Sequence, residues 1–511
     1  MTSPKTSSPT HKRPLLPPKF VQAMLAGHSA LGLAFAALIY IVCLTGTIAV
    51  FMFELQRWEQ PDIAPIPHSV SAEVVANALQ AGQRQALADN AAHDLFIMGP
   101  NPHSGYARLA VGYRDHETDV RGDWIANADG DLVARAQAPW TTFVTVLHGS
   151  LHLPHTWGAF LVGLTGVALL SSLVSGLLSH PRMFKDAFHL RWGGSRRLQD
   201  ADLHNRLGVW GLPFHFVVSL SGALIGLATL VVGVLALAAY DGDTEKAFAA
   251  ILGPHAGPDE SAGPLPDIAA MIRAVQAAKP DAVFTSANFD HIAKADQVVH
   301  LGMRAPGHLP LANVYYFKGD GMALGDGGLE EGGIGQQILG VLQPLHFGWF
   351  GGIPVKLAYG VLGIALSIVT YTGVTIWLSR RRDKGRPAPG WEKIWAGVGW
   401  GQPLALGLSA LAALYLGSPI IIPAYLAASA LAILFALGCR SGTAAAAILR
   451  TASAFVLLAV VFAHLTIWNG RVVDTMGVAV DTTLLLVALG LLMPLAKRRS
   501  GVNTMAPSLT K

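Results

Sequence analysis

The sequence is poor in cysteine and in charged residues. Its 511 residues include only two cysteines, Cys43 and Cys439, which lie in or beside separate apolar segments. On the membrane topology derived below they face opposite sides, so we expect no disulfide between them. Charged residues make up 13% of the chain, about half the share that is usual in soluble domains. With 52% hydrophobic residues and a mean hydropathy of +0.44, the composition excludes an ordinary soluble protein.

Two motifs of redox proteins are also missing. The chain has no C-x-x-C-H, which excludes the covalent attachment of a c-type haem. No G-x-G-x-x-G follows a predicted strand, and the polar segments assigned below to the inner side are too short for a nucleotide-binding domain. We therefore expect no flavin or NAD site in this chain.

Apolar segments long enough to cross a bilayer, about 20 residues each, dominate the chain. Two long polar segments, 57–140 and 241–340, separate them. The sequence thus predicts an α-helical integral membrane protein with about eight transmembrane helices. These are 20–53, 148–179, 204–240, 342–378 and four additional helices within 396–496.

The distribution of charge predicts the orientation of these helices. The segments 1–19, 180–206, 379–393, 439–450 and 497–511 hold 22 of the 36 lysines and arginines but only 5 of the 32 acidic residues. Positive charge marks the cytoplasmic side. We therefore expect both termini, 1–19 and 497–511, and the basic loops 180–203 and 379–395 to be cytoplasmic, with the two long polar segments outside. The net charge of +4 reflects this topology and indicates no nucleic-acid partner.

The chain repeats itself around its histidines. His28 and His204 each begin the pattern His-x-x-Leu-Gly, and each segment ends in a small hydroxyl residue followed by glycine. His152 and His346 form a second pair, each followed by glycine six residues later, and their segments also end in hydroxyl-glycine pairs. The four hydroxyl-glycine pairs are Thr45-Gly46, Ser175-Gly176, Ser221-Gly222 and Thr372-Gly373.

The two outer segments repeat as well. The stretches 123–134 and 313–324 both predict hairpins that turn on Asp and Gly. A probable helix precedes each hairpin, at 71–88 and 266–278. Each repeat is therefore a helix, an outer α+β domain and a helix, and two such parallel repeats indicate a pseudo-twofold axis along the membrane normal.

That symmetry predicts two histidine pairs, His28 with His204 near the cytoplasm and His152 with His346 near the outside. Paired imidazoles on facing helices are the axial ligands of a b-type haem, so we expect two b-type haems. Other uses of buried histidine stay open, namely hydrogen bonding between helices, a proton relay and, with weaker support, a zinc site. His148 and His215 share a helical face with His152 and His204 and are alternative ligands.

Taken together, these residues resemble the PepSY-associated transmembrane proteins of bacterial inner membranes. The two His-x-x-Leu-Gly segments, the basic approach RRLQDADLHNRLG (196–208), LHFGWFGG (345–352) and TGVTIWLSRRR (372–382) carry the resemblance, which extends over about 20–382. It implies two periplasmic PepSY-like α+β domains in an internal repeat and a multi-pass protein of the inner membrane. Members of this type look like di-haem reductases of ferric siderophores.

The resemblance implies that electrons pass outward to a periplasmic ferric siderophore or another Fe(III) chelate. Because this chain has no flavin or nicotinamide site, a quinol or a separate flavoprotein is expected as the donor. Two alternatives remain open. One is a transporter of a small solute or siderophore with buried histidine as a proton relay, and the other is a PepSY-type regulator of a periplasmic partner. No catalytic residue is assigned.

Overall fold

The computed structural model describes residues 16–180, 196–259 and 261–502. Most of the predicted N-terminal segment 1–19, most of the basic loop 180–203 and much of the tail 497–511 lie outside the described residues. In the described part, six helices are long and apolar enough to cross a membrane, and two bent helix pairs bring the number to eight. The chain is a multi-pass membrane protein, as the sequence predicts.

Two of the predicted spans are bent helix pairs. The first consists of α1 (Pro18–Ala34) and α2 (Ala36–Ala49), which meet at 69°. Its counterpart consists of α7 (Arg196–Trp210) and α8 (Leu212–Gly226), which meet at 71°. Both bends, at Phe35 and Gly211, fall seven residues after the repeated histidine. The remaining helices of this region are α3 (Met52–Glu59), α9 (Ala228–Ala239) and α10 (Thr244–Leu252).

The predicted spans 148–179 and 342–378 are both interrupted near their start. In the first, α5 (Pro139–Ser150) ends at Leu151 and α6 (His155–Ser179) follows. In the second, α12 (Ile334–Phe347) ends at Gly348 and α13 (Gly352–Asp383) follows. Leu151 and Gly348 adopt left-handed backbone conformations, φ 54° and 72°, which end a helix. Both spans therefore begin later than predicted.

Between these helices each half of the chain folds as one helix followed by four antiparallel strands. Ser71 Oγ accepts a hydrogen bond from Val74 N and begins α4, and Asp267 begins α11 in the same way. The predicted hairpins are confirmed as β3–β4 and β7–β8. The elements are α4 (Ala72–Ala88), β1 (Asp94–Met98), β2 (Leu109–Arg114), β3 (Arg121–Ala126), β4 (Leu132–Arg135), α11 (Ile268–Ala278), β5 (Val283–Asp290), β6 (Val298–Arg304), β7 (Asn313–Lys318) and β8 (Ala323–Asp326).

The two halves form one continuous sheet of eight strands, in the order β4-β3-β2-β1-β5-β6-β7-β8. β1 pairs antiparallel with β5, with Leu95 opposite Phe289 and Met98 opposite Ser286. This corrects the expectation of two separate outer domains. Each half alone would leave its first strand as an unpaired edge, and pairing the two edges satisfies their backbone groups. α4 and α11 pack on this sheet over a shared core. We call this unit the sheet domain.

The last four helices pack against α2, α3 and α5, with the following polar contacts at α3. Trp58 Nε1 donates to Asp481 Oδ1 at 2.9 Å, and the Trp58 ring stacks on His464 at 4.7 Å between centroids. Arg57 Nε forms an ion pair with Asp474 Oδ2 at 2.5 Å. These contacts attach the additional helices to the repeat. They are α14 (Pro389–Leu416), α15 (Ile421–Gly438) after a 3-10 turn at Ser418–Ile420, α16 (Gly442–Ile467) and α17 (Met476–Val502).

Candidate haem-binding site

His28 and His204 face each other across the two halves of the chain. Their ring centroids lie 6.3 Å apart, with the ring planes at 77°. Each ring nitrogen Nδ1 contacts a backbone carbonyl of a neighbouring helix, 2.8 Å from Ser172 O for His28 and 2.9 Å from Val369 O for His204. The sequence prediction that these two histidines meet is therefore correct in its geometry.

The second pair consists of His148 and His346. Their ring centroids lie 6.1 Å apart, and the rings are nearly parallel at 22°. His148 Nδ1 lies 2.9 Å from Val42 O. His346 Nδ1 lies 3.1 Å from Ser221 Oγ, and this histidine also makes a hydrogen bond to the backbone of Val218.

The predicted facing of His152 and His346 is wrong, and His148 takes the place of His152. His152 lies in the short connection after α5 with φ 54°. Its ring stacks on Phe143 at 4.9 Å, and its Nε2 lies 2.9 Å from Phe143 O. The prediction paired His152 with His346 because each is followed by glycine six residues later. The two glycines are not equivalent, since Gly158 lies inside α6 whereas Gly352 has φ 60° and begins α13.

His215 does not join either pair. It is buried, and its ring packs over Gly211 at the bend between α7 and α8. His204 is therefore the histidine of this span that meets its repeat partner, as the repeat predicts.

All four paired histidines have the same surroundings, built from the four hydroxyl-glycine pairs. Each ring lies against one of these glycines, so that an added Cβ would come within 2.6 to 3.3 Å of the ring atom Cε1. For His28, His148 and His204, Nδ1 meets the carbonyl four residues before that glycine, whereas His346 Nδ1 lies 3.1 Å from the hydroxyl of Ser221, directly before its glycine. The partners are His28 with Gly176, His148 with Gly46, His204 with Gly373 and His346 with Gly222.

This arrangement fixes the proton on the imidazoles of His28, His148 and His204. A carbonyl oxygen only accepts hydrogen bonds, so Nδ1 must carry the proton and donate it. Nε2 then retains its lone pair and is the nitrogen available to a metal. In three of the four cases the hydroxyl beside the glycine binds the same carbonyl, as Thr372 Oγ1 does with Val369 O at 3.1 Å. The carbonyl is thus held in place from both sides.

Each pair lines its own cavity between the helices. The first cavity, about 210 Å³, contains His28 and His204, with Arg380 in its wall. The second cavity, about 490 Å³, contains His148 and His346, with Trp349 in its wall. Ile39 and Leu169 line both cavities, so two side chains form a wall that the cavities share.

An aromatic series leads from the second cavity to the sheet domain. Trp349 stacks on Phe53 at 5.0 Å, and Phe53 lies 4.9 Å from Tyr106, in the loop after β1. Beside it, Lys356 Nζ forms a buried ion pair with Glu54 at 2.7 and 2.8 Å. The structure thus connects the sheet domain directly to the second cavity.

A further group of titratable residues lies outside both cavities and was missed by the sequence analysis. His93, Asp94 and His116 come together at one end of β1. No spacing motif links them, since the strand pairing alone brings residues 93 and 116 together. The sequence signal that could have found them is a histidine directly before β1, His93, and another just after β2, His116.

Comparison with known families adds to this geometry. A model of the PepSY-associated TM region matches residues 25–380. The chain belongs to this family. The matched range contains the four paired histidines, both halves of the sheet domain and most of α13. Within the PepSY-associated TM protein described here, the helices α14 to α17 lie beyond the match.

One relative of this PepSY-associated TM protein comes from Pseudomonas aeruginosa strain PAO1. It is called uncharacterized protein PA4219 and is 28% identical over 247 residues, which cover 46% of this chain and 62% of the relative. The aligned part of the chain thus spans less than two thirds of that protein. The name of the relative gives no activity.

Proposed function

We propose that this protein binds two b-type haems and carries electrons across the bacterial inner membrane to a periplasmic ferric chelate. His28 and His204 would hold one haem, and His148 and His346 the other. The observation that carries the proposal is the repetition of one histidine environment, with a glycine under all four rings and an Nδ1–H that donates to a backbone carbonyl in three of them. Hydrogen bonding between helices alone does not require two facing imidazoles in each cavity.

The two sites fit a macrocycle held between two imidazoles. Two metal–nitrogen bonds of about 2 Å, each extended by about 1 Å to the ring centre, separate the centroids by about 6 Å. The observed separations are 6.3 and 6.1 Å. Trp349 Nε1 is buried beside the second cavity and has no hydrogen-bond partner among the described residues, so a donor is present there for a polar group of a ligand. Arg380 provides a cation at the first cavity.

The protein's own residues would position the haems and exclude water. The carbonyls of Ser172, Val42 and Val369 fix three imidazole orientations and raise the basicity of Nε2. The apolar walls would keep a bound iron in a medium of low dielectric constant. A haem held by these histidines would supply one-electron chemistry, and its potential would depend on the ligands and their surroundings. Ile39 and Leu169 separate the cavities by one layer of side chains.

The acceptor would bind on the side of the sheet domain. The series Trp349, Phe53 and Tyr106 leads from the second cavity to that domain, which would lie in the periplasm as a pair of joined PepSY-like halves. One electron converts Fe(III) in the chelate to Fe(II). A protein with two reduced haems would therefore reduce two Fe(III) ions. The proposal takes a ferric siderophore as the chelate from the family resemblance, and a quinol or a separate flavoprotein as the donor.

Haem content per chain tests the ligand assignment. The detergent-purified full-length protein is expected to contain two haems with a sharp difference spectrum between the reduced and oxidised forms. His28→Ala, His204→Ala, His148→Ala and His346→Ala should each lose one haem. His152→Ala is the matched control and should retain both. A colourless protein, or equal haem content in all five variants, would contradict the assignment.

Reoxidation of the reduced protein tests the acceptor. Dithionite-reduced protein, freed of dithionite under anaerobic conditions, is mixed with a ferric siderophore and with its gallium(III) analogue, which accepts no electron. Fast reoxidation by the ferric form alone supports the reductase. If both haems stay reduced with every ferric chelate, the chelate is not the acceptor and the proposed reductase activity is contradicted. Activity that survives loss of all four histidines would favour the transporter or the regulator.

A further inference from the structure

The sheet domain brings two histidines and one carboxylate together at the start of β1. Asp94 Oδ1 lies 3.0 Å from His93 Nδ1, and Asp94 Oδ2 lies 2.7 Å from His116 Nε2. One nitrogen or oxygen from each of the three residues lies within 4.8 Å of the other two. The antiparallel register of β1 and β2 causes this meeting, since Asp94 is opposite Arg114 and His116 follows two residues later.

The second half of the chain adds further histidines to the same place. Because β5 runs antiparallel to β1, Asp290 ends β5 where β1 begins, and His291 follows it directly. The His291 ring lies 4.6 Å from the His93 ring, and His255 Nδ1 lies 3.2 Å from Asp290 Oδ2. These residues line one open cavity of about 560 Å³. The triad of His93, Asp94 and His116 belongs to the first half, and the cavity around it is complete only when the two halves are joined.

His291 is held in an unfavourable backbone conformation, with φ 54°. A residue other than glycine in this region costs on the order of 1 to 3 kcal/mol, and such strain is concentrated at ligand sites. The His291 Nδ1 atom is buried with no hydrogen-bond partner among the described residues, 3.6 Å from Asp296 Oδ1. A nitrogen beside the triad thus has no partner within hydrogen-bond distance.

We propose that His93, Asp94 and His116 bind a divalent first-row transition metal ion, with His291 beside them. Two imidazoles and one carboxylate are a ligand set for such ions, with coordination positions left open, whereas Mg²⁺ and Ca²⁺ require oxygen ligands. The wall of the cavity includes one competing cation, Arg114, whose guanidinium is directed to Asp119 at 3.4 Å. The side chains of Asp94 and His116 are 29% and 53% exposed, so an ion can enter from solvent.

The proposal does not rest on the haem assignment. None of the residues of the triad lines the first or the second cavity. The contacts of the triad also come from the sheet domain alone. A protein without haem could bind the metal, and a protein with two haems could lack it, so the two proposals fail separately.

Zinc binding to the full-length protein tests the site. Zn²⁺ is the probe because it is redox-inert. The detergent-purified protein is stripped with a chelator, titrated with Zn²⁺ by calorimetry, and analysed for zinc and haem per chain. We expect one tight Zn²⁺ per chain and weaker binding at pH 6 than at pH 7.5, because the imidazoles must lose their protons. His93→Ala and His116→Ala should each reduce the affinity at least about tenfold.

His68→Ala is the matched control, since His68 is an exposed histidine in the segment before α4. It should leave the affinity unchanged. Asp94→Asn tests the carboxylate as a ligand, because an amide keeps the size of the side chain and loses the charge. No saturable binding, or binding in His116→Ala and Asp94→Asn that is as tight as in the parent protein, would overturn the proposal. His116→Ala alters an exposed side chain and should leave haem content and Tm unchanged. Loss of zinc in such a variant is then due to the missing ligand and not to unfolding.

Discussion

On the proposed haem ligation, alanine at the glycines under the histidine rings should weaken haem binding in a graded order. A Cβ at Gly46 would lie 2.6 Å from His148 Cε1, and one at Gly222 would lie 2.8 Å from His346 Cε1. The corresponding distances are 3.1 Å at Gly176 and 3.3 Å at Gly373. Ordinary contact begins near 3.4 Å, so the ring of His148 must retreat by about 0.8 Å and that of His204 by about 0.1 Å.

Moving the His148 ring costs free energy in two ways. Overpacking a buried site costs about 1 to 3 kcal/mol. Moving the His148 ring away from α2 also weakens its 2.9 Å hydrogen bond to Val42 O, worth about 1 kcal/mol. Together these give about 2 to 4 kcal/mol for Gly46→Ala. Since 1.4 kcal/mol corresponds to a factor of ten, the haem affinity should fall roughly 30-fold to several hundredfold. For Gly373→Ala we expect less than about 1 kcal/mol.

The assay is haem content and haem dissociation rate for the four variants in detergent. Alanine raises helix propensity by about 1 kcal/mol over glycine, so the fold should persist while haem is lost. Gly490→Ala is the control, because no atom lies within 4 Å of its added Cβ. Equal haem retention in Gly46→Ala and Gly490→Ala would refute the reasoning that a glycine cradle positions the ligand.

Three further predictions concern polar groups around α3. Burial raises the pKa of Glu59 to about 7, although its carboxylate accepts hydrogen bonds from Trp140 N and Thr141 N at the start of α5. The contribution of Glu59 to stability is therefore complete below its ordinary pKa of 4.5 and is lost as the pH rises through about 7. The Tm of Glu59→Gln should therefore fall less between pH 5 and pH 8 than the Tm of the parent protein. Lys356→Met should destabilise the protein by about 3 to 5 kcal/mol by leaving Glu54 buried and unpaired, and Glu54→Leu in the same chain should recover most of this in denaturant unfolding. Asp481→Asn should cost about 1 to 3 kcal/mol, and its effect should appear as increased proteolysis of α14 to α17; unchanged digestion would contradict the anchoring role.

The sequence predicts the local elements well because their signals are local. The hairpins turn at Gly130 and Gly321, whose φ values of 95° and 90° suit glycine, and the Asp-Gly pattern marked both. The helices before them begin with Ser71 and Asp267, which are typical N-caps. Long apolar runs likewise located the membrane helices.

What the sequence did not predict depends on contacts between distant segments. The pairing of β1 with β5 joins residues nearly two hundred positions apart, and hydrophobic alternation does not specify which edge pairs with which. The choice of His148 over His152 depends on where α5 ends, at Leu151, which adopts a left-handed conformation without being glycine. The hydroxyl-glycine pairs were visible as a repeat, but only the structure shows that each one supports a histidine from another helix.

The junction between β1 and β5 sets an order for biosynthesis. The ribosome completes the first half of the sheet domain long before β5 emerges, so β1 remains an open edge for the time needed to make residues 99–282. Each histidine pair also takes one member from each half. A chain that stops before residue 204 therefore has neither the joined sheet nor a complete histidine pair. Haem insertion would then report that the second half has been inserted and docked, which makes cofactor loading a checkpoint for assembly in the membrane.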